Sequence, residues 1–417
     1  MNYLATYLSH HHFEKIVLLS DEGSFAKDCN DIFKDTAVKE IHSLRSLSSD
    51  VIAHDDITDI NADCLVLHNY FAEDGYLYSF LLRCKFDTAV LYYDDGSIDY
   101  FRAWESLRNN CNHITIVMEK KMRQREIVRW DAVPSGIELS VILPVYNVGK
   151  YIQKCIDTLT EWKAPYLEFI FVSDGSKDES VEIIKKAMEN DQRIKLIEKE
   201  NGGCASARQV GLEAARGNYI GFIDPDDFID PSMYRELIAR AILGNMDISF
   251  CGYNEYYEDT KRSKPVEDPI AYPTMYGLYT RKDIDPLISY LRIGIWRGIY
   301  RKKMIEDNNI HFYLDLPRFD DLPFKVETIA VATKVASVNK HLYYYRLNRE
   351  GQDVSIDDQR LYVHFDIFKH LDVFFENRSE EQKKYYEIVK RDTHNWALTK
   401  LRKEFVEEYK AKMKEQG

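Results

Sequence analysis

No stretch of the 417-residue chain approaches the ~20 consecutive apolar residues that a bilayer-spanning helix needs, and its first residues carry no secretory apolar core. The expectation is a cytoplasmic protein. Positive charge is not in excess either: 69 Asp and Glu against 56 Lys and Arg leave a formal net charge of −13. Phosphate backbones require a basic face, so nucleic acid is not expected as a partner. The seven cysteines, at positions 29, 64, 84, 111, 155, 204 and 251, include no C-x-x-C pair. That scatter argues against a zinc site and fits reduced, structural thiols. No Gly-rich dinucleotide fingerprint follows the first apolar run, Ile16 to Leu19, which argues against NAD.

What is present is the composition of a folded chain, 45% apolar and 30% charged, long enough for two or three domains. Over residues 1–135, apolar runs of strand length (residues 16–19, 64–67, 88–92 and 114–117) are separated by segments long enough for crossover helices. They predict a small Rossmann-like α/β unit. His10, His11 and His12 read as a local polar run. A basic stretch over residues 120–129 leads to Val133-Pro134-Ser135-Gly136, which reads as a linker.

From residue 139 to 230 strand and helix alternate, which calls for a parallel sheet with its ligand outside the carboxyl ends of the strands. The strands predicted over 139–145 and 167–172 stop at Pro144-Val145-Tyr146-Asn147 and Ser173-Asp174-Gly175-Ser176. Ser176 or Asp178 is positioned to cap the following helix. A third strand precedes the tight turn Asn201-Gly202-Gly203. The fourth, 219–223, ends at Asp224-Pro225-Asp226-Asp227. Clustered carboxylates at a strand end repel one another, and a divalent cation relieves that cost; an acidic, solvated turn is the plainer reading of the same four residues.

Together, Ser140 to Asn147, Val172 to Asp178, Asn201 to Arg208 and Asp224 to Phe228 resemble the successive nucleotide-sugar motifs of family 2 glycosyltransferases. The resemblance covers about residues 138–355. It implies an α/β, GT-A catalytic domain (136–357) between the N-terminal α/β domain (1–135) and a C-terminal helical region (358–417). It also implies an inverting enzyme that uses Mn²⁺ or Mg²⁺ and moves a sugar from a nucleotide-diphosphate sugar, most simply a UDP-sugar, to a glycan or lipid-linked glycan acceptor of surface-polysaccharide type. By the same resemblance Pro144, Tyr146 and Asn147 border base and ribose, and Asp174 accepts from the base. Gly203 lets backbone approach the ligand and Arg208 reaches base or phosphate, with Gln209 where the family often has Asn. Asp224 takes the ribose or a metal-bound water, and Asp226 takes the metal.

Further along, Leu316 to Phe324 is similar to the family's segment in which an acidic pair opens a helix, here Asp320-Asp321 in place of Glu-Asp. Asp321 aligns with the catalytic base, and its neighbour would raise the pair's pKa. The plainer alternative has Asp320 capping a helix over 322–332. The run from His341 to Arg349 resembles the family's closing strand, with Arg346 available to the departing diphosphate and a loop over 351–355 after it. Beyond residue 357, Leu361, Phe365, Phe368 and Leu371, then Trp396, Leu401, Phe405 and Tyr409, predict amphipathic helices. A packed tail is the default; self-association or peripheral contact with the inner face of the cell membrane are the alternatives. For the whole chain the alternatives are a catalytically inactive nucleotide-sugar or glycan-binding scaffold, or a bifunctional transferase with a second activity in the N-terminal domain.

Overall fold

The computed structural model describes six strands within residues 1–130 and, beyond them, residues 137–243, 246–267, 278–279, 281–292, 294–349 and 356–416. The chain divides into two compact units, residues 1–135 with 242–245 and residues 136–241 with 246–417. The histidine run, the proposed linker and the 351–355 loop lie outside the described residues.

In the first unit, β1 (Ile16–Ser20), β2 (Val38–Ser43), β3 (Ala62–His68), β4 (Phe86–Tyr93), β5 (Cys111–Met118) and β6 (Glu126–Trp130) form one sheet in the order β2-β1-β3-β4-β5-β6. Neighbours are parallel except β5 and β6. The four apolar runs are β1, β3, β4 and β5. The basic stretch is part strand: β6 returns antiparallel on β5, its Ile127 and Val128 opposite Val117 and Ile116.

The second unit is built on a mixed sheet of ten strands. β7 (Leu139–Val145), β8 (Leu167–Asp174), β9 (Ile194–Lys199) and β10 (Tyr219–Phe222) are mutually parallel. They are crossed over by α1 (Gly149–Thr160), α2 (Ser180–Asn190) and α3 (Cys204–Ala214). Each of β7 and β8 is buried on both faces apart from Pro144, which is why they read as continuous apolar runs rather than alternating ones. Ile152, Cys155, Ile156 and Leu159 give α1 its buried stripe. Neither Ser176 nor Asp178 is the cap residue of α2. Glu179 stands there without a side-chain cap, while Asp178 accepts from the backbone N–H of Gly149 at 2.8 Å and of Ser180 at 3.1 Å, tying the two helix starts together.

Beyond β10 come β11 (Phe228–Ile229), α4 (Met233–Leu243), the hairpin of β12 (Ile248–Tyr257) and β13 (Arg262–Pro265), and β14 (Leu278–Tyr279). After these follow α5 (Arg281–Tyr290), β15 (Gly298–Arg301), α6 (Lys302–Asp307), α7 (Asp321–Val331) and the 13-residue β16 (Val335–Leu347). The sheet order β11-β16-β12-β15-β10-β7-β8-β9 places antiparallel β15 against β10, then β12, then β16 parallel to β12. One apolar core runs from Ile142 and Ile170 through Phe222, Phe312 and Phe324 to Leu371 and Tyr386. Within it Phe312 and Phe324 stack at 4.7 Å with Phe222 edge-on to both. α8 (Val363–Phe375), α9 (Glu380–Lys400) and α10 (Lys403–Gln416) complete the unit; the predicted last amphipathic segment is broken at Leu401 and Arg402.

Candidate active site

Three of the parallel strands, β7, β8 and β10, reach the same edge and end at polar residues. After β7, Pro144 is half-buried, Tyr146 is 52% exposed and Asn147 is exposed with φ +51°. Asn147 is one of the few residue types that enter the left-handed region cheaply, and its Oδ1 accepts from the Lys177 N–H at 2.8 Å, linking the first and second strand ends.

Asp174 closes β8 and is buried. Its Oδ1 accepts from Lys199 Nζ at 2.6 Å and Gly202 N–H at 2.9 Å, and its Oδ2 accepts from Gly203 N–H at 2.8 Å. The expectation of a base-contacting carboxylate therefore meets one whose oxygens hold the Asn201-Gly202-Gly203 turn and with it the start of α3. Gly203 has φ +90°, and a Cβ there would meet nothing within 4 Å, so the glycine serves its backbone angle and leaves open space beside it.

One turn into α3, buried Arg208 reaches two carboxylates: Nη2 lies 2.7 Å from Asp224 Oδ1 and Nη1 lies 2.8 Å from Asp320 Oδ2. Burial opposes its charge, yet Asp320 and the other acidic neighbours hold its pKa well above the usual value. The plainer reading of Asp320 as a helix cap is overturned. It occupies the cap position of α7, but its side chain makes no cap hydrogen bond and is committed to Arg208.

Asp321 opens α7, half-buried, and burial pushes its carboxyl up to about 7, with Arg208 opposing and Asp320 and Asp224 adding to the rise. A carboxylate that titrates near neutrality while keeping one exposed flank is suited to accept a proton.

Asp224 is half-buried, whereas Asp226 and Asp227 are buried. Burial raises the pKa of both Asp226 and Asp227, most strongly Asp227. Asp227 is spent on the fold: Oδ2 accepts from Tyr343 Oη at 2.7 Å and Oδ1 from Arg346 N–H at 2.7 Å, locking the acidic turn to β16. Asp226 instead pairs through Oδ2 with Arg349, just beyond β16.

Arg346 differs from its expected role. Its guanidinium is buried, donates to the Asp226 carbonyl at 2.5 Å, pairs with Glu258, and lies 5.0 Å from the Tyr151 ring centre and 5.5 Å from that of Phe228. Of the two arginines at the end of β16, the one whose side chain pairs with a carboxylate of the acidic turn is Arg349.

Among the described residues no group of three or more His, Cys, Asp and Glu is arranged to hold a metal ion. The donors are nonetheless hard oxygens, and Oδ2 of Asp226 already faces a cation, the Arg349 guanidinium. Two carboxylates that leave further positions to substrate oxygens match the habit of Mg²⁺ and Mn²⁺.

Sequence reasoning missed Tyr343, Tyr345, Arg349 and Glu258. The two tyrosines alternate on β16 and so share one face. Tyr343 stacks on Trp296 at 4.1 Å and Tyr345 lies parallel to it at 5.5 Å. Burial, then Asp227, Asp224, Asp226 and Asp321, raise the Tyr345 hydroxyl pKa. The geometric link between the acidic turn and the pair at α7 is Arg208, which contacts both Asp224 and Asp320.

A mixed sheet with nucleotide-side motifs at one edge and an acidic pair opening a helix opposite them is the arrangement of a GT-A glycosyltransferase. The family model for Glycosyl transferase family 2 matches residues 140–307. The chain is 31% identical over 243 residues to the uncharacterized glycosyltransferase YibD of Escherichia coli, 54% of this chain and 68% of that protein. It is 34% identical over 214 residues to the uncharacterized glycosyltransferase EpsJ of Bacillus subtilis, covering 50% of this chain and 61% of EpsJ. The crystal structure of Staphylococcus aureus TarS residues 1–349 in complex with UDP-GlcNAc superposes with a TM-score of 0.52 at 24% identity, over 64% of this chain and 77% of that one, and shares its fold. The chain belongs to glycosyltransferase family 2.

Proposed function

We propose that the chain is an inverting glycosyltransferase that moves a sugar from a nucleotide-diphosphate sugar, with UDP as the first choice of nucleotide, to a hydroxyl of a surface-polysaccharide or glycolipid acceptor. The observation that carries this reading is the Asp224–Arg208–Asp320 bridge, which joins the donor-side turn to the acidic pair.

Asp321 takes the proton of the acceptor hydroxyl, whose oxygen attacks the anomeric carbon as the carbon–oxygen bond to the diphosphate breaks. The bond forms on the face opposite the nucleotide, inverting the centre. Arg208 pairs with Asp320 and with Asp224 and so fixes the distance between the two sides. Pro144, Tyr146 and Asn147 border the nucleotide, with Gly203 leaving backbone open beside it, and Asp174 acts through the Gly202 and Gly203 amides. Asp226, with Asp224 beside it, would hold Mn²⁺ or Mg²⁺, which supplies neutralisation of the diphosphate charge when bound. Arg349 is displaced from Asp226 toward the diphosphate.

We assign residues 136–357 as the transferase unit, residues 1–135 as a docking or acceptor-presenting unit and residues 358–417 as a helical extension. Among the described residues no helix is long and apolar enough to cross a membrane. The test is a thermal-shift screen of UDP-, GDP- and CMP-sugars with and without Mn²⁺, followed by metal-dependent hydrolysis of the stabilising donor. Stabilisation by a UDP-sugar only with the metal, together with slow release of UDP, is the expected result; no stabilisation by any nucleotide sugar sinks the reading.

A further inference from the structure

Of the described non-glycine residues with positive φ, three are Asn and one is Lys; the fifth is Phe319, at φ +56°. Asn enters this region readily, whereas a bulky aromatic does so only when its surroundings force it. Phe319 immediately precedes the acidic pair, and its carbonyl accepts the Leu322 N–H at 3.2 Å in the entry to α7. A glycine or asparagine would make this turn without strain, so a reason for the ring is to be sought in what it touches.

It touches the C-terminal helices. The ring centre lies 5.1 Å from the imidazole of His364 on α8 and 6.1 Å, edge-on, from the indole of Trp396 on α9. His364 is in turn held by α10: its Nδ1 is 3.3 Å from Tyr409 Oη, which also meets His394 Nδ1 at 2.9 Å. Phe319 packs against both the main core, with Leu316, Leu322 and Phe324, and the smaller cluster of Ile356, Leu361, Phe365, Ala397, Leu401 and Tyr409. One side chain therefore joins the last three helices to the residue beside Asp320 and Asp321.

We infer that Phe319 is a positioning residue, and that α8, α9 and α10, by gripping its ring, hold the left-handed turn that aims Asp320 at Arg208 and Asp321 at the acceptor. The helices beyond residue 357 then belong to the catalytic apparatus rather than forming an appended tail. The inference rests on the reading of Asp321 as the base. Without the grip, the turn at 319 loses its anchor to the three helices, and both carboxylates drift from their aim at the donor-side turn.

The experiment compares full-length Phe319→Asn, Phe319→Tyr and Trp396→Leu with the unaltered protein and with Asp321→Asn. The readouts are kcat, acceptor KM, calorimetric donor affinity with Mn²⁺, and the pH profile of transfer. Phe319→Asn keeps a residue at ease in the turn but removes the ring. It is expected to lower kcat by about 10- to 100-fold while donor affinity stays within about twofold, the size of effect a misplacement of ~1 Å brings. Its acid limb should shift to lower pH as Asp321 gains water. Phe319→Tyr should keep kcat within about threefold, and Trp396→Leu should reproduce the kcat loss from a distance at about 10-fold. Unchanged kcat in Phe319→Asn or in Trp396→Leu overturns the inference, as does a loss confined to melting temperature or to donor binding. Turnover retained by Asp321→Asn would instead unseat the base itself. Loss in Asp321→Asn with normal Phe319→Asn leaves the base standing and removes only the role of Phe319.

Discussion

Arg208 Nη1 lies 2.8 Å from Asp320 Oδ2, joining residues 112 positions apart across the face between the nucleotide motifs and α7. Both side chains are buried, so the pair is worth most as geometry: breaking it leaves a charge without a partner. Arg208→Met is expected to lower unfolding free energy by about 3 kcal/mol in urea titrations. Because Arg208 also pulls the Asp321 pKa down, the acid limb of activity should move to higher pH in this variant.

Asp321 carries a pKa raised to about 7, so its base form is populated only above that pH and transfer should rise through it. The stability consequence has the opposite sign. A carboxyl raised above its unfolded value, about 3.9, favours the folded state below that value and loses this contribution as pH rises through 7. Asp321→Asn should therefore abolish transfer, leave donor binding nearly intact, and melt about 2–5 °C higher than the parent at pH 8, with the gap closing toward pH 5. Scanning calorimetry at the two pH values checks the sign.

Asp226 pairs with Arg349, whereas Asp227 holds Tyr343 and the Arg346 amide. Substitution should separate the two. Asp226→Ala is expected to remove the Mn²⁺ dependence of donor binding with a change in stability below about 1 kcal/mol. Asp227→Ala should destabilise by about 2–3 kcal/mol through the orphaned tyrosine and amide. Calorimetric donor titrations with and without Mn²⁺, paired with urea unfolding, distinguish them; equal donor affinity in Asp226→Ala and parent counts against the metal assignment.

At the opposite edge of the sheet, buried Glu168 accepts from Ser140 at 2.6 Å, Lys195 at 2.5 Å and the Arg216 backbone at 2.8 Å. Burial works against its charge, yet these bonds bring its pKa down to about 2. A depressed carboxylate stabilises above its unfolded pKa, about 4.3, and loses that contribution as pH falls through 2. Glu168→Ala should cost about 3 kcal/mol at pH 7, and the deficit should shrink between pH 4 and pH 2. Unfolding curves across that range test it.

Much of the architecture was legible because its signals are local. The strands over 139–145 and 167–172 are buried on both faces, so they appear as unbroken apolar runs, and the helix between them shows its stripe at 3.6-residue spacing. β6 was not legible. A strand of Glu126, Ile127, Val128, Arg129 and Trp130 shows only two adjacent apolar residues before its last position, and only its pairing with β5 makes it a strand.

The order of residues by itself determined that carboxylates would gather at a strand end and that an acidic pair would open a helix, since proline, glycine and apolar spacing fix where elements stop. It could not decide which of several identical side chains faces which. Asp320 or Asp321, Arg346 or Arg349, Asp226 or Asp227 differ little in local context. Burial, partner and direction come from segments more than a hundred residues away, so only the folded chain commits Asp227 and Arg346 to the scaffold and leaves Asp226, Asp321 and Arg349 as the candidates for chemistry.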